Sequence, residues 1–322
     1  MRHSFHAPED APSLDRSLLT WKYYEAGPSW NGSRSYVLSD RGAFVAHAAI
    51  WPLQIRLQSG VRTGIGFCDW AASEEQRGVG LLLLKKLTTL APFVLVIGGA
   101  DITRQILPRV GFKPWAELPV YARVLRPVRQ MLSRTSLNWK EPARLARNAA
   151  WSFAGLAPSG GWTAEFAISD ADTISRSHEQ TGSINSREFV AFLLKCPTIT
   201  FRSVLLRKEG VAQGYAVVST VGGQARLADL RIELRAQADW DSALAVVVCL
   251  LRRETDASEL IAIASVPHLQ TSLETNGFRM REQRPLVVLD PEGKMYEEPV
   301  PQLGMLVDDA SFLHIPEFPF LT

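Results

Sequence analysis

Cysteine is scarce in this sequence, and neither sign of charge is in large excess. The three cysteines, Cys68, Cys196 and Cys249, are far apart and show no paired metal-ligand spacing. We therefore expect a reducing, cytoplasmic environment, no disulfide framework and no metal site. The 35 basic and 33 acidic residues leave a net charge of +2, which is too small to indicate a nucleic-acid-binding surface.

The sequence also lacks long hydrophobic runs. Residues 1–20 are polar and contain no apolar core of a signal peptide. The apolar runs 81–84 and 243–251 are followed at once by Lys85-Lys86 and Arg252-Arg253, so we expect no membrane span. A chain of 322 residues is instead long enough for two domains, each with its own core.

A short glycine-containing motif is the most informative feature present. Arg77-Gly78-Val79-Gly80 lies between a strand-like apolar run, 65–70, and a helix-like apolar run, 81–90. Small residues let a ligand approach the backbone, and the start of the following helix attracts an anion. The motif predicts a phosphate-binding loop, but taken alone it is equally compatible with an ordinary turn.

The elements that follow give this loop a context. A strand-like run, 93–98, precedes a helix-like segment, 101–110, which is followed by Gly111-Phe112 and another strand candidate, 117–125. This order resembles the acetyl-CoA-binding half of the GCN5-related N-acetyltransferases, the GNAT superfamily.

The GNAT signature reads Gln or Arg, two residues, Gly, one residue, then Gly or Ala. Arg77 and Gly80 match its first two positions. The third position falls on Leu82, where the family has a smaller residue. The motif is therefore a partial match to the signature.

The same plan occurs twice in the chain. Residues 34–38 and Gly42 align without gaps to residues 202–206 and Gly210. The second copy continues with strand-like runs at 210–220, 226–234, 259–264 and 285–289, a helix-like run at 239–253, and Gly277-Phe278. The shared order indicates an internal repeat.

We therefore predict a mixed α/β (α+β) fold of two tandem GNAT-like domains, each a mixed central sheet flanked by helices. The expected boundaries are 1–126 for the first domain, 127–161 for a connector with a helix, 162–290 for the second domain and 291–322 for a tail packed on a domain. Trp21-Lys22-Tyr23-Tyr24 is similar to an element near the start of polysaccharide-biosynthesis-associated members. The chain thus resembles the tandem, double-domain type.

The resemblance implies that acetyl-CoA is the co-substrate and binds to the first domain. Its thioester carbonyl would meet a backbone N–H of the strand before the loop, and its pyrophosphate would meet the loop and the helix start. The residues assigned to this site are Phe67, Cys68, Asp69, Trp70, Arg77, Gly78, Val79, Gly80, Leu81 and Leu82.

Acetyl transfer to an amine needs a group that takes the ammonium proton. Asp69, at the end of a strand, is one candidate base, with loop capping as its structural alternative. His47 is a second candidate because of its titration range. The family's acid, a tyrosine, is replaced here by Leu107, so Tyr121 on the next strand is the candidate acid.

The second domain lacks the cofactor motif. Its corresponding loop, 235–240, contains no glycine, and Asp239 lies at the helix start where a phosphate would bind. We expect this domain to form one wall of an acceptor cleft between the domains, with Asp229 and Arg231 able to reach into it.

The expected function is direct acetyl transfer from acetyl-CoA to a small amine, such as an amino sugar or another cell-surface precursor. The alternative is a non-catalytic acyl-CoA-binding or interaction pseudo-enzyme, which the missing tyrosine and the degenerate second loop favour. Because the second domain can replace a dimer partner, we expect a monomer with pseudo-dimeric domains or a weak homodimer.

Overall fold

The structure is a computed structural model that describes residues 11–25, 27, 30–133, 139, 141–168, 173–174, 181–312 and 320–322. Parts of the predicted connector, 134–138 and 140, and of the tail, 313–319, lie outside the described residues. Within the described parts of the chain, no helix combines the length and apolar character needed to cross a bilayer.

The first half of the chain forms strands that overlap the apolar runs predicted as strands at 65–70, 93–98 and 117–125. These are β1 (Ser35–Asp40), β2 (Ala43–Leu57), β3 (Gly60–Ala72), β4 (Val94–Ile97) and β5 (Lys113–Val124). The second half contributes β6 (Trp162–Phe166), β7 (Gly182–Ser183), β8 (Thr200–Lys208), β9 (Val211–Val221), β10 (Gln224–Ile232), β11 (Glu259–Ile263) and β12 (Arg279–Leu289).

In the described residues, one helix precedes the strands and the others lie between them in the chain. They are α1 (Arg16–Tyr23), α2 (Val79–Leu87), α3 (Asp101–Ile106), α4 (Pro127–Leu132), α5 (Glu141–Ser152), α6 (Arg187–Leu193), α7 (Gln237–Glu254) and α8 (Pro267–Thr275). Of these helices, α4 and α5 lie within residues 127–161, the predicted connector.

Matched turns confirm the internal repeat. The β1–β2 hairpin turns at Arg41 and Gly42 with φ of 47° and 86°, and the β8–β9 hairpin turns at Glu209 and Gly210 with φ of 51° and 84°. Positive φ at both central residues is the geometry of a type I′ hairpin, which glycine favours. Equivalent positions of the two copies, each a charged residue followed by glycine, thus make the same turn.

The two halves share one continuous sheet. Its order is β1-β2-β3-β4-β12-β5-β11-β10-β9-β8-β6, and β7 pairs with β2 off this path. The last strand of each half lies beside the other half, because β12 pairs with β4 and β5 pairs with β11. The predicted tandem fold, with mixed sheets flanked by helices, is confirmed, and these two exchanged strands join its sheets.

Apolar side chains fill both faces of this sheet. On one face, α2 packs on the first-half strands, and α7 and α8 pack on the second-half strands. Successive strand residues point to opposite faces, so the alternate residues of both halves meet in one large cluster on the other face. There they pack against α1, α6 and the C-terminal tail.

The C-terminal tail is part of this core. Leu303, Leu306, Val307 and Phe312 are at most 3% exposed. The tail also joins the sheet hydrogen bonds, because Ser183 N–H donates to the carbonyl of Gln302. The described part of the tail therefore packs onto the sheet.

Candidate active site

Strands β3 and β4 separate at the point where the predicted cofactor site begins. They run parallel and pair only at Ile65–Val94 and Gly66–Leu95. Beyond Gly66, β3 continues to Ala72 along β2 while its pairing with β4 ends. We call this divergence the first splay, and it leaves a wedge between two strands of the sheet.

The predicted phosphate loop lies at the end of β3 and leads into α2. Gly78 precedes the first turn of α2 with φ of 88°, and no side chain caps the helix. The first turn contains no acidic residue. Since the first amides of a helix have no intrahelical acceptor, the backbone N–H groups at Val79, Gly80 and Leu81 are available to an anion.

Gly80 has a packing role as well as a place in the motif. A Cβ at this position would lie 2.9 Å from Ala72 Cβ and 3.2 Å from Trp70 Nε1. Trp70 donates a hydrogen bond from Nε1 to the carbonyl of Gly80 (3.1 Å). The glycine therefore lets α2 approach β3 closely, while Arg77, Gly78 and Leu82 remain exposed.

A β-bulge in β3 positions Asp69. The pairs His47–Ala71 and Ala49–Cys68 leave Asp69 and Trp70 opposite a single β2 residue. Asp69 has φ of 50°, a left-handed conformation that is uncommon outside glycine but is tolerated by aspartate. The bulge follows the last β3–β4 pair, at Gly66, by three residues, and such features often re-aim a side chain beside a site.

The Asp69 carboxylate is engaged by α1. Lys22 forms an ion pair with Asp69, and Tyr23 donates its hydroxyl to the same oxygen (2.5 Å). Lys22 also pairs with Asp309 of the tail (3.1 Å). Burial alone would raise the pKa of Asp69, but the Lys22 ammonium and the Tyr23 hydroxyl hold it below its ordinary value.

His47 and Cys68 lie beside this cluster in neutral form. His47 Nδ1 donates to the Asp69 carbonyl (3.0 Å), and Nε2 lies 3.0 Å from the hydroxyl of Ser35. Burial lowers the pKa of His47. Burial likewise raises the pKa of Cys68 well above its ordinary value, so the thiol stays protonated.

The structure does not bring Tyr121 to the first splay. Tyr121 is buried in the cluster beneath α7 and α8, and its hydroxyl donates to Glu274 (3.0 Å). Its face of β5 therefore belongs to the core of the second half. Asp69 and His47, by contrast, lie together at the bulge.

The tail crosses the first splay on the sheet face opposite α2. A Cβ on Gly66 would lie only 2.6 Å from the carbonyl oxygen of Val307. Trp51 donates its indole N–H to the Leu306 carbonyl (2.9 Å) and is almost fully buried. Only glycine at position 66 leaves room for this contact.

A narrow cleft of about 400 Å³, including space open to solvent, lies beside this contact. It separates the middle of β2 from the segment before α6 and from the tail. Its lining mixes apolar and uncharged polar side chains, including Pro52, Gln54, Ser183, Asn185, Phe189 and Val307. Val307 thus borders both the cleft and the first splay.

The corresponding second splay, between β10 and β11, is closed by protein. The two strands pair from Gln224–Glu259 to Leu227–Ala262 and then separate. Gln302 of the tail donates to the Leu230 carbonyl (2.7 Å). Asp229 and Arg231, which flank Leu230 on β10, form an ion pair with each other and are almost fully buried.

Asp229 and Arg231 reach the lining of the cleft indirectly. Asn185 donates to Asp229 (2.7 Å), and Arg231 donates to the Ser183 hydroxyl (3.0 Å). The two residues therefore hold lining side chains in place.

Sequence reasoning missed the partners of Asp69. Lys22 and Tyr23 were noted only as part of a Trp-Lys-Tyr element, and Asp309 only as an acidic residue of the tail. Their separations from Asp69 along the chain are long, and no local spacing connects them. The one available signal was the presence of a lysine within an otherwise aromatic stretch, because a buried lysine requires a carboxylate partner.

No protein-family model matches this chain, and no curated protein matches its sequence. Solved structures with the same fold include a probable N-acyltransferase of Enterococcus faecalis V583, with TM-score 0.56 and 13% identity over 92% of this chain and 70% of that one. A GCN5-related N-acetyltransferase of Anabaena variabilis has TM-score 0.57 and 11% identity over 90% and 68% of the two chains.

Saccharomyces cerevisiae N-myristoyltransferase with bound myristoyl-CoA has TM-score 0.55 and 12% identity over 84% of this chain and 73% of that one. At these identities the likeness establishes the fold. The protein therefore has the GNAT fold that the motif order predicted.

Proposed function

We propose that this protein is an acyl-CoA-dependent N-acyltransferase that binds its cofactor at the first splay. The observation that carries the proposal is the junction of this splay with the uncapped start of α2. A thioester arm can enter between diverging strands, and the N-terminal amides of α2 suit the pyrophosphate. The GNAT fold supports this placement by analogy.

Acetyl-CoA is the cofactor that we propose, with a small amine as acceptor. The sheet face beyond the splay is filled by Trp51, Leu306 and Val307, which leaves little space for a long acyl chain. The cleft beside Val307 is the acceptor site in this proposal. Its amide and hydroxyl side chains suit an uncharged, hydroxyl-bearing body such as that of an amino sugar.

Calorimetric titration of the purified protein with acetyl-CoA and with myristoyl-CoA tests the cofactor site. The informative variant is Leu82→Glu, with Leu82→Gln as its control. Leu82 is 60% exposed, so neither change disturbs the core, whereas a side chain at Gly80 would collide with Ala72. A carboxylate near the phosphate position should repel the cofactor.

We expect micromolar binding of acetyl-CoA, a loss of at least about tenfold in Leu82→Glu, equal to about 1.4 kcal/mol, and near-normal binding in Leu82→Gln. Equal affinities for all three proteins would place the cofactor elsewhere. No binding to the folded wild type would contradict the proposed activity.

A second candidate function is acyl-CoA binding without catalysis. The observation that favours it is the Val307 carbonyl packed against Gly66, which obstructs the space beyond the splay. Binding of acetyl-CoA without thiol release in the presence of any amine would support this alternative. Thiol release that depends on an amine would exclude it.

We also propose that the protein is a cytoplasmic monomer. Its two halves already share one sheet through the exchanged strands β5 and β12, so no second chain is needed to cover those strands. A light-scattering mass near 35.7 kDa would agree with this proposal, and twice that mass would indicate the homodimer.

A further inference from the structure

The proposed transfer requires a proton acceptor, and the two candidates at the bulge are already engaged. Lys22 and Tyr23 bind the Asp69 carboxylate. Both ring nitrogens of His47 have partners, Asp69 and Ser35. A carboxylate neutralised by a buried ammonium is a weak base, so the transfer needs a different group near the splay to accept the proton.

The tail brings one such group to the splay. The Val307 carbonyl contacts Gly66, the last β3 residue that pairs with β4. Val307 also borders the cleft. Asp308 is the next residue, and it is only 8% exposed. Its backbone therefore lies beside the cofactor wedge, and the preceding residue, Val307, borders the proposed acceptor cleft.

The charged neighbour of Asp308 along the chain increases its affinity for a proton. Asp309 is held by Lys22 (3.1 Å), which brings two acidic side chains into one buried segment. Among the described residues, Asp308 accepts one hydrogen bond, from the Ala310 N–H (2.8 Å). Burial, and then the charge of Asp309, raise the pKa of Asp308 to about 7.

The cations near Asp308 have other acceptors. Arg284 pairs with Glu282 (2.6 Å), and Arg226 donates to the Ala310 carbonyl (2.7 Å). Lys22 is bound by Asp69 and Asp309. Among the described residues, none of these three cations forms an ion pair with Asp308, and the titratable Cys68 thiol also lies near its carboxylate.

We propose that Asp308 is the catalytic base, an assignment that rests on the proposed acyltransferase function. Asp308 takes one proton from the acceptor ammonium, and the free amine attacks the thioester carbonyl carbon. A C–N bond forms, the C–S bond breaks, and the second nitrogen proton passes to the departing thiolate to give the free thiol. Asp308 then releases its proton to solvent.

The test compares wild type with Asp308→Asn across pH, using acetyl-CoA and a panel of amino sugars and simple primary amines. Asparagine keeps the shape of the side chain and the acceptor for the Ala310 N–H. We expect unchanged acetyl-CoA affinity and a fall in kcat of about 100-fold or more. The wild-type kcat/KM should decline below about pH 7, and this decline should be absent from the residual activity of Asp308→Asn.

Asp309→Asn provides a second readout. Removing the neighbouring charge should lower the pKa of Asp308, so the decline should move to lower pH while kcat at pH 8 is largely kept. Normal kcat and an unchanged pH profile in Asp308→Asn would overturn the assignment. Acetyl-CoA binding without turnover of any amine would also overturn it, whereas no binding at all would contradict the proposed function itself.

Discussion

The two splays have the same origin in the fold but different helix starts beside them. At the first, α2 follows Gly78 and carries no acidic residue in its first turn. At the second, α7 carries Asp239, which accepts hydrogen bonds from Trp162 (3.0 Å) and Lys208 (2.6 Å). A helix start needs negative charge or acceptors. The second half supplies negative charge through Asp239, whereas the first turn of α2 contains no acidic residue.

The tail shows the same contrast. At the second splay it bonds to both sides, through Leu230 of β10 and through Ser265, which follows β11 and donates to the Pro301 carbonyl (2.7 Å). At the first splay, its contacts at Trp51 and Gly66 are with β2 and β3. Among the described residues, hydrogen bonds therefore join the tail to both sides of the second splay, whereas none joins it to β4 at the first.

The largest expected effect is on stability when the first splay loses its cation. Lys22→Met leaves the largely buried carboxylates of Asp69 and Asp309 without their cation and should cost about 3–5 kcal/mol at neutral pH. The deficit should shrink in acid, because the carboxylates can then be protonated. Denaturant unfolding at two pH values measures this difference.

Lys208→Met is the matched change at the second splay. The Lys208 side chain is 31% exposed, so its loss should cost about 1 kcal/mol or less. If Lys22→Met and Lys208→Met lowered the free energy of unfolding equally, the ion pairs at the two splays would be equivalent. The expected difference between the splays would then be wrong.

Asp308→Asn is expected to raise the free energy of unfolding, by somewhat less than Lys22→Met lowers it. The raised pKa of Asp308, about 7, means that folding favours its protonated form. The stability contributed by this group is present below its unfolded pKa of about 4 and is lost as pH rises through about 7. Above pH 7 the variant should be about 2–4 kcal/mol more stable than wild type, with no advantage near pH 4.

Asp229→Asn tests whether this gain is particular to the tail. Asp229 accepts from Arg231 and Tyr215 in the second half, so its neutralisation should destabilise the protein at pH 8. Thermal unfolding across pH distinguishes the variants, and a loss of stability in Asp308→Asn at pH 8 would contradict the buried, poorly paired carboxylate described above.

Smaller losses of stability are expected from substitutions at the glycines where the tail and the sheet are in close contact. A Cβ on Gly66 would lie 2.6 Å from the Val307 carbonyl, and one on Gly304 would lie 2.5 Å from the Ala228 carbonyl. Each glycine-to-alanine change should cost about 1–3 kcal/mol, because backbone must move. Only Gly66→Ala should also weaken acetyl-CoA binding, and calorimetry with both variants would show if the two positions behave alike.

The smallest effect is expected at the closed helix start. Asp239→Asn removes a charge that complements the α7 dipole and Lys208, and should cost about 1 kcal/mol. It should not create acetyl-CoA binding, because the tail still closes the second splay. A calorimetric signal for a second binding site in this variant would refute the claim that protein contacts have replaced the cofactor there.

Much of the local structure could be predicted from sequence. Apolar runs identified the strands, and the gap-free match of residues 34–38 and Gly42 to residues 202–206 and Gly210 identified the repeat. The loop at Gly78 was predicted because small residues before an apolar helix let a ligand approach the backbone. The roles of Asp69 and His47 could not be read in this way, since they depend on Lys22 and Asp309, which are remote in sequence.

The sequence by itself determined the element order, the repeat and the loss of the glycine loop from the second half, because these are set by local backbone preference and hydrophobic period. Tertiary structure alone decided the exchange of β5 and β12 and the path of the tail. Both exchanged strands carry similar apolar patterns, so local preference does not select their partners. Only packing of the complete sheet fixes which half each strand joins and which acidic residues meet Lys22.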